Sequence, residues 1–258
     1  MQTHGKIAVA GATGRAGRHV VDVLGERGYQ VVPISRSSGV DVITGDGLAE
    51  ALAGVQCVID TATGPSPEQE AATEFFTTAA ENLHKVGASE RVERMVVVSI
   101  IGCDRFTAGY NAAKLAHEQA MLSGPIPVRV LRAAQFHEFV GQLVDWGRQD
   151  DVSYVPEMRT QLVAARTVAE ALVDLATVPD GTVGRQIPEI AGPREESLVA
   201  MARLLVARRG NHLRIEPVSD PADPDSELYA TGGLLPSAHA TLAGPTFEQW
   251  LHSTEASE

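Results

Sequence analysis

Through the first 135 residues, short apolar runs alternate with longer stretches in which apolar positions recur every three or four places. The runs "KIAVAGA", "YQVVPIS", "QCVIDTA", "RMVVVSI" and "PVRVLRA" are rich in β-branched residues and bounded by Gly, Pro or polar clusters, which predicts strands. They lack strict apolar–polar alternation, so each strand is expected to be covered on both faces. Strand, helix, strand repetition with such strands predicts an α/β fold, a Rossmann-type doubly wound parallel sheet with helices on both faces. Between the third and fourth strands, Ser66 as N-cap, Pro67 at the first helical position and Gln69 completing a capping box predict a helix to about Lys85, ended by Gly87.

Beyond residue 135 the pattern loosens. "FHEFVGQLVDWG" reads as a helix, "SYVPE" and "TQLVAAR" as extended segments, "TVAEALVDLA" as a helix opened by Thr167 and Glu170, and "LVAMARLLVARRG" as another. A terminal helix starts at Thr246 with Gln249 three places on. There is no internal repeat, low-complexity tract or long linker. One domain over 1–258 is expected, with a parallel-sheet core in 1–135 and a mixed C-terminal region, 136–258, completing the sheet and covering whatever binds at its strand ends.

The 258 residues are enough for a full core. No stretch of eighteen apolar residues occurs, so no membrane span is expected, and the first strand-like run begins too early for a signal peptide, which points to the cytoplasm. The two cysteines, Cys57 and Cys103, lie in or beside apolar runs and read as small buried thiols in a reducing compartment. The formal charge of −12 disfavours nucleic acid and anionic lipid as partners. What remains is a small-molecule ligand; the sequence is silent on oligomeric state.

Candidate chemistry begins in "VAGATGRAGRHVVDVLGERG", where Gly11, Gly14 and Gly17 follow the first strand and open a helix. A pyrophosphate needs backbone without Cβ in its way, N–H donors and the positive end of a helix, and this turn offers all three. Thr13, Arg15 and Ala16 belong to the same cradle. The chain here resembles the short-chain dehydrogenase/reductase superfamily, and within it the atypical, NmrA-like NAD(P)H-binding branch, whose glycine loop looks like "GATGRAG". The resemblance covers residues 6 to 140 and continues more weakly through "RTVAEAL" and "IAGP".

NAD-preferring sites place a carboxylate after the second strand to accept the ribose 2′-hydroxyl. This chain has Ser35 and Arg36 there, and a guanidinium pairs with a 2′-phosphate, so NADP(H) is expected over NAD(H). The resemblance implies an Asp-aliphatic pair at adenine, assigned to Asp41 and Val42 with Asp46 as the alternative. It also sets Thr61, Ala62 and Thr63 beside the cofactor ribose, where the two threonines either hydrogen-bond the ribose or simply end a strand.

In the same superfamily the strand before the active-site helix ends in serine, and that helix carries Tyr-x-x-x-Lys. Here "MVVVSIIGCDRFTAGYNAAK" supplies Ser99, Tyr110 and Lys114, with the last two on one helical face. The resemblance implies that Tyr110 exchanges a proton with the substrate oxygen, its pKa lowered by the adjacent ammonium, and that Lys114 holds the nicotinamide ribose. Ser99 precedes Tyr110 by eleven residues rather than about thirteen; it either polarises the substrate oxygen or satisfies local backbone groups. Ala134 and Gln135 are assigned to the nicotinamide carboxamide. Phe136, His137 and Phe139 are expected to line the substrate pocket with some of Phe106, Trp146 and Tyr154. His137 is either a second acid/base or a helix cap.

No metal-ligand spacing, Gly-x-Ser-x-Gly elbow or Gly-Lys-Ser/Thr phosphate loop occurs. The sequence thus points to an NADPH-dependent oxidoreductase acting on a small carbonyl or quinone-like substrate. The alternative is a non-catalytic NADP(H)-binding redox sensor, while an epimerase or dehydratase with tightly held NAD is disfavoured by Arg36.

Overall fold

The structure, a computed structural model, describes residues 5–179, 184, 186–210 and 212–253. Cα proximity divides it into two compact units. Unit one is Met1–Ser99, Gly109–Arg132 and Val168–Ile187; unit two is Ile100–Ala108, Ala133–Thr167 and Pro188–Glu258.

Unit one carries β1 (Lys6–Ala10), α1 (Arg15–Glu26), β2 (Gln30–Ile34), α2 (Leu48–Leu52), β3 (Cys57–Asp60), α3 (Gln69–Ser89), β4 (Arg94–Ile100), α4 (Gly109–Ser123) and β5 (Val128–Ala133). The strands run parallel in the order β5-β4-β3-β1-β2, with Ile7 opposite Val31 on one side and Cys57 on the other. Ala8, Ala10, Val58, Met95 and Val97 face one way and pack with Leu48 and Leu52 of α2, Ala79, Ala80 and Leu83 of α3, and Met121 of α4. Ile7, Val9, Ile59 and Val96 alternate to the other face and are equally buried. Both faces are thus covered by helices, as continuous apolar strands require.

Unit two contains α5 (His137–Trp146), β6 (Arg148–Gln149), β7 (Val152–Pro156) and β8 (Arg159–Thr160), followed by the start of α6 (Ala165–Thr177), which continues into unit one. Then come β9 (Glu189–Ala191), β10 (Glu196–Ser197), α7 (Leu198–Arg208), β11 (Arg214–Val218), α8 (Ser226–Thr231), β12 (Thr241–Leu242) and α9 (Phe247–His252). The Ala134 amide, just past β5, donates to Ile190 of β9, and β12 pairs in parallel with β9. A second core gathers Val140 and Val144 of α5, Leu198, Ala202 and Leu205 of α7, and Phe247 and Trp250 of α9.

The five expected N-terminal strands and the helices at 137–146, 198–208 and 247–252 are present, and Thr246 and Gln249 form the expected capping box. One helix differs at both ends. α3 begins at Gln69, Ser66 makes a turn by accepting the Glu68 amide, and the Gln69 side chain accepts the Gly109 amide instead of closing a box. Gly87 lies inside α3 because a Cβ there would sit 2.9 Å from Ile126 Cδ1; it permits close packing and does not end the helix. Both cysteines are buried thiols outside any disulfide among the described residues, and burial pushes the Cys57 thiol up to about 12. Among the described residues no helix is long and apolar enough to cross a membrane.

Gly124 ends α4 against the buried His84 ring, whose Nε2 bonds the Met121 carbonyl at 2.8 Å. A Cβ at Gly124 would overlap that ring, so Gly124→Ala is expected to destabilise the chain by about 1–3 kcal/mol, read as a lower urea midpoint with unchanged m-value.

Candidate active site

The glycine turn is built by backbone crowding. Gly11 has φ +73° and sends its N–H to the Ile34 carbonyl (3.0 Å), and a Cβ there would lie 2.7 Å from Ala62 Cα. At Gly17 a Cβ would overlap the Gly11 carbonyl. Gly14 donates to Gly11 O (2.9 Å) and stands as the N-cap of α1, where no side chain caps the helix. The α1 amides therefore open onto a turn whose Thr13 and Arg15 are exposed and whose Ala16 is buried.

After β2, Ser35 caps a single 3₁₀ turn, Arg36–Ser38, accepting the Ser38 amide and bonding the hydroxyls of Ser37 and Ser38. Its hydroxyl is thereby committed to the turn. Arg36 is exposed, and its guanidinium has no hydrogen bond or ion pair among the described residues. One oxygen of Asp41 accepts the Ile43 amide at 2.7 Å, and Asn82 pins this segment by donating to the carbonyls of Val42 (3.0 Å) and Ile43 (2.8 Å). Nothing in the sequence pattern marked Asn82, which reaches back from α3 across forty residues.

Beyond β3 the threonines separate. The Thr61 hydroxyl donates to the Ala10 carbonyl (2.8 Å) and is buried, so it closes the strand end. The Thr63 hydroxyl lies 3.1 Å from the Tyr110 phenol oxygen. Tyr110, on the first turn of α4, also meets the Phe76 ring edge-on with centroids 5.8 Å apart. Burial raises its pKa above the ordinary 10, partly offset by the Thr63 bond.

That direction corrects the expectation of a phenol acidified by Lys114. The lysine ammonium donates to the Val98 carbonyl and to His117 Nδ1, both at 2.9 Å, and sits 4.5 Å over the Phe76 ring. His117 Nε2 in turn contacts Asp60 Oδ2 at 3.1 Å, and its ring stacks on Phe76. Asp60 is buried at the end of β3, and its Oδ1 accepts the Ala62 amide at 2.9 Å. Burial opposes ionisation of Asp60, but the bonds from His117 and Ala62 and the Lys114 charge together hold its pKa below the ordinary value. Lys114, His117 and Asp60 are all at most 5% exposed. Asp60 and His117 were missed because they stand 57 residues apart in runs that read as strand and helix. Ser99, one residue past Val98, is buried in β4.

The remaining candidates belong to unit two. The Ala134 amide is used on Ile190, the Gln135 carbonyl accepts the Val163 amide, and the Gln135 side chain accepts the Thr160 hydroxyl. Phe136 and Phe139 are half-buried, and Phe139 packs edge-on to the exposed Trp146. Phe106 is buried against Tyr229. His137 is 0% exposed, enclosed by Phe247 and Trp250, with Nε2 donating to the Pro245 carbonyl (3.1 Å). It therefore lines no solvent-reached pocket and caps no helix through its side chain; its ring fills the core under α9, and Nδ1 has no hydrogen-bond partner among the described residues. Also unforeseen, Asp225 accepts the amides of Thr107 (2.6 Å) and Ala108 (2.8 Å) and the Thr107 hydroxyl (3.1 Å), fixing the segment that leads into Tyr110.

No protein-family model matches the chain, and no curated protein sequence is similar to it. Solved structures do match. MoeE5 in complex with UDP-glucose and NAD superposes with TM-score 0.69 at 19% identity, over 92% of this chain and 90% of that one. A short-chain dehydrogenase/reductase superfamily protein from Agrobacterium tumefaciens with bound NAD gives 0.67 at 15% identity, over 97% and 96%. TunA, an NAD-dependent NDP-hexosamine 5,6-dehydratase of tunicamycin biosynthesis, gives 0.64 at 16% identity, over 98% and 100%. The fold is the one shared by short-chain dehydrogenase/reductase structures.

Burial lowers the His137 pKa from 6.5 to about 4. Between these values the unfolded chain binds the extra proton, so the stability contributed by the neutral ring is present above pH 6.5 and lost as pH falls towards 4. The loss is roughly 3 kcal/mol and should vanish from the pH profile of unfolding free energy in His137→Gln, whatever that variant's absolute stability.

Proposed function

We propose that the chain is a nicotinamide-dinucleotide-dependent oxidoreductase of the short-chain type, similar to its NmrA-like branch, acting on a small carbonyl or quinone-like molecule. The observation that carries this reading is the glycine turn: an uncapped α1 N-terminus, reached through Gly11, Gly14 and Gly17, stands beside the Thr61–Thr63 strand end that contacts Tyr110. These residues fit a diphosphate, since the α1 amides face a turn free of capping side chains.

A bound reduced dinucleotide supplies hydride. The chain's own residues do the rest. The backbone amides of Arg15, Ala16 and Gly17, which open α1, would hold the diphosphate, and Asp41 and Val42 would border adenine. Lys114, one helical turn from Tyr110, would hold the ribose. Tyr110, protonated at neutral pH, gives its phenolic proton to the substrate oxygen, with Thr63 holding the phenol oriented.

The exposed, unpaired Arg36 and the lack of a carboxylate directly after β2 support NADP(H) as the preferred form. The MoeE5 and Agrobacterium tumefaciens structures hold NAD, and at under 20% identity their ligand does not transfer to this chain. A second reading is favoured by the placement of the Lys114 ammonium on Val98 and His117: a dinucleotide-binding sensor with no turnover.

Calorimetry with NADPH and NADH separates these statements. NADPH is expected to bind more tightly, and Arg36→Asp to weaken it by about tenfold or more while changing NADH much less. Binding of neither dinucleotide overturns the proposal, and preference for NADH overturns the role of Arg36. With NADPH and a panel of quinones, aldehydes and ketones, Tyr110→Phe is expected to lower kcat by about 10²–10⁴ with dinucleotide affinity retained. Tight binding without turnover across the panel establishes the sensor.

A further inference from the structure

One carboxylate touches two separate arms of the site. Asp60 Oδ2 meets the Nε2 of His117, whose Nδ1 accepts a hydrogen bond from the Lys114 ammonium. An ammonium only donates, so Nδ1 accepts and Nε2 carries the hydrogen given to Asp60. Asp60 Oδ1 takes the Ala62 amide, and the next residue, Thr63, contacts Tyr110. We propose that Asp60 is the positioning residue of this site: through His117 it aims Lys114, and through the Ala62 amide it sets the Thr63–Tyr110 contact. The proposal rests on the reading of the site as a dinucleotide site.

The buried ammonium needs this arrangement. From β3 the Asp60 charge acts on it, from α4 the neutral His117 with Glu118 beyond it, and from α3 the Phe76 ring lies beneath it. Glu118 is engaged by Arg132 of β5 through two bonds of 3.0 and 2.8 Å, while the Lys114 charge acts on Asp60 and helps to keep it ionised. Tyr110, also on α4, turns its phenol to Thr63.

Asp60→Asn separates the arms. The Asn oxygen still accepts the Ala62 amide, so the amide nitrogen faces His117 Nε2 and forces it to accept. The ring hydrogen moves to Nδ1, opposite the ammonium, and the carboxylate charge is gone. Lys114 then sheds its proton more easily. Native dinucleotide affinity should vary by less than about threefold between pH 6.5 and 9, whereas that of Asp60→Asn should fall roughly tenfold or more over the same range. The tyrosine absorbance titration assigned to Tyr110 should stay as in the native chain.

His117→Leu should weaken NADPH binding, and His117→Gln, which keeps an acceptor for Lys114 and a donor for Asp60, should restore it. This pair carries the test if Asp60→Asn does not fold. Nitrogen NMR of the ligand-free native chain should place the His117 hydrogen on Nε2. A hydrogen on Nδ1, a native pH profile in Asp60→Asn, or equal affinities in the two His117 variants would overturn the proposal. A native chain that binds no dinucleotide, yet shows the Nε2 hydrogen, sinks the functional reading instead.

Discussion

A carboxylate removed from water must be solvated by protein, and that requirement organises the end of β3. Asp60 is 1% exposed, with a backbone amide on one oxygen and an imidazole on the other. Each partner constrains a different element. The amide fixes Ala62, whose Cα approaches Gly11 so closely that only glycine fits there. The imidazole ties β3 to α4 and carries the link on to the Val98 carbonyl of β4 through Lys114. The glycine turn and the Tyr110 helix are thereby referenced to one charge, and a site assembled from separate parallel strands acquires a common origin.

How much of this was readable beforehand depends on the range of each interaction. β1 to β5 were legible because continuous apolar runs between turn residues have few other structural uses, and the α9 capping box because both of its partners lie within three residues. α3 was misjudged at its ends because Ser66 and Gln69 serve a turn and a tertiary bond that happen to share the spacing of a capping box. Gly87 looked like a stop and is instead a contact surface for Ile126.

The chemical site shows the same division. Gly11, Gly14, Gly17 and the four-residue step from Tyr110 to Lys114 are local patterns, so sequence revealed them. The partners of those residues are not local. Lys114 was expected to act on Tyr110 from the same helical face, but its ammonium turns to His117 and Val98, and the phenol is left to Thr63. His137 drew attention as an ionisable group beside two phenylalanines; the aromatic enclosure by Phe247 and Trp250, more than a hundred residues away, decides its state. Asp225, which clamps Thr107 and Ala108, carried no sequence signal at all, because a lone aspartate in a turn-rich stretch is ordinary.

These placements bear on what a tyrosine can do here. A phenol raised by burial and bonded to a threonine hydroxyl is protonated throughout the neutral range. If the site reduces a carbonyl, that is the form required, and Thr63 needs only to orient it. If the site were instead to oxidise an alcohol, the competent free form would be the phenolate, which burial makes scarce. Microscopic reversibility gives both directions one transition state, so burial does not alter the equilibrium; it sets which protonation state of the resting protein can enter the reaction. With Lys114 bonded to His117 and the Val98 carbonyl, the Thr63 bond is what offsets burial at the phenol, and it does so only in part. The geometry therefore suits a proton donor, and the charged pair behind it serves to hold the frame in which that donor points.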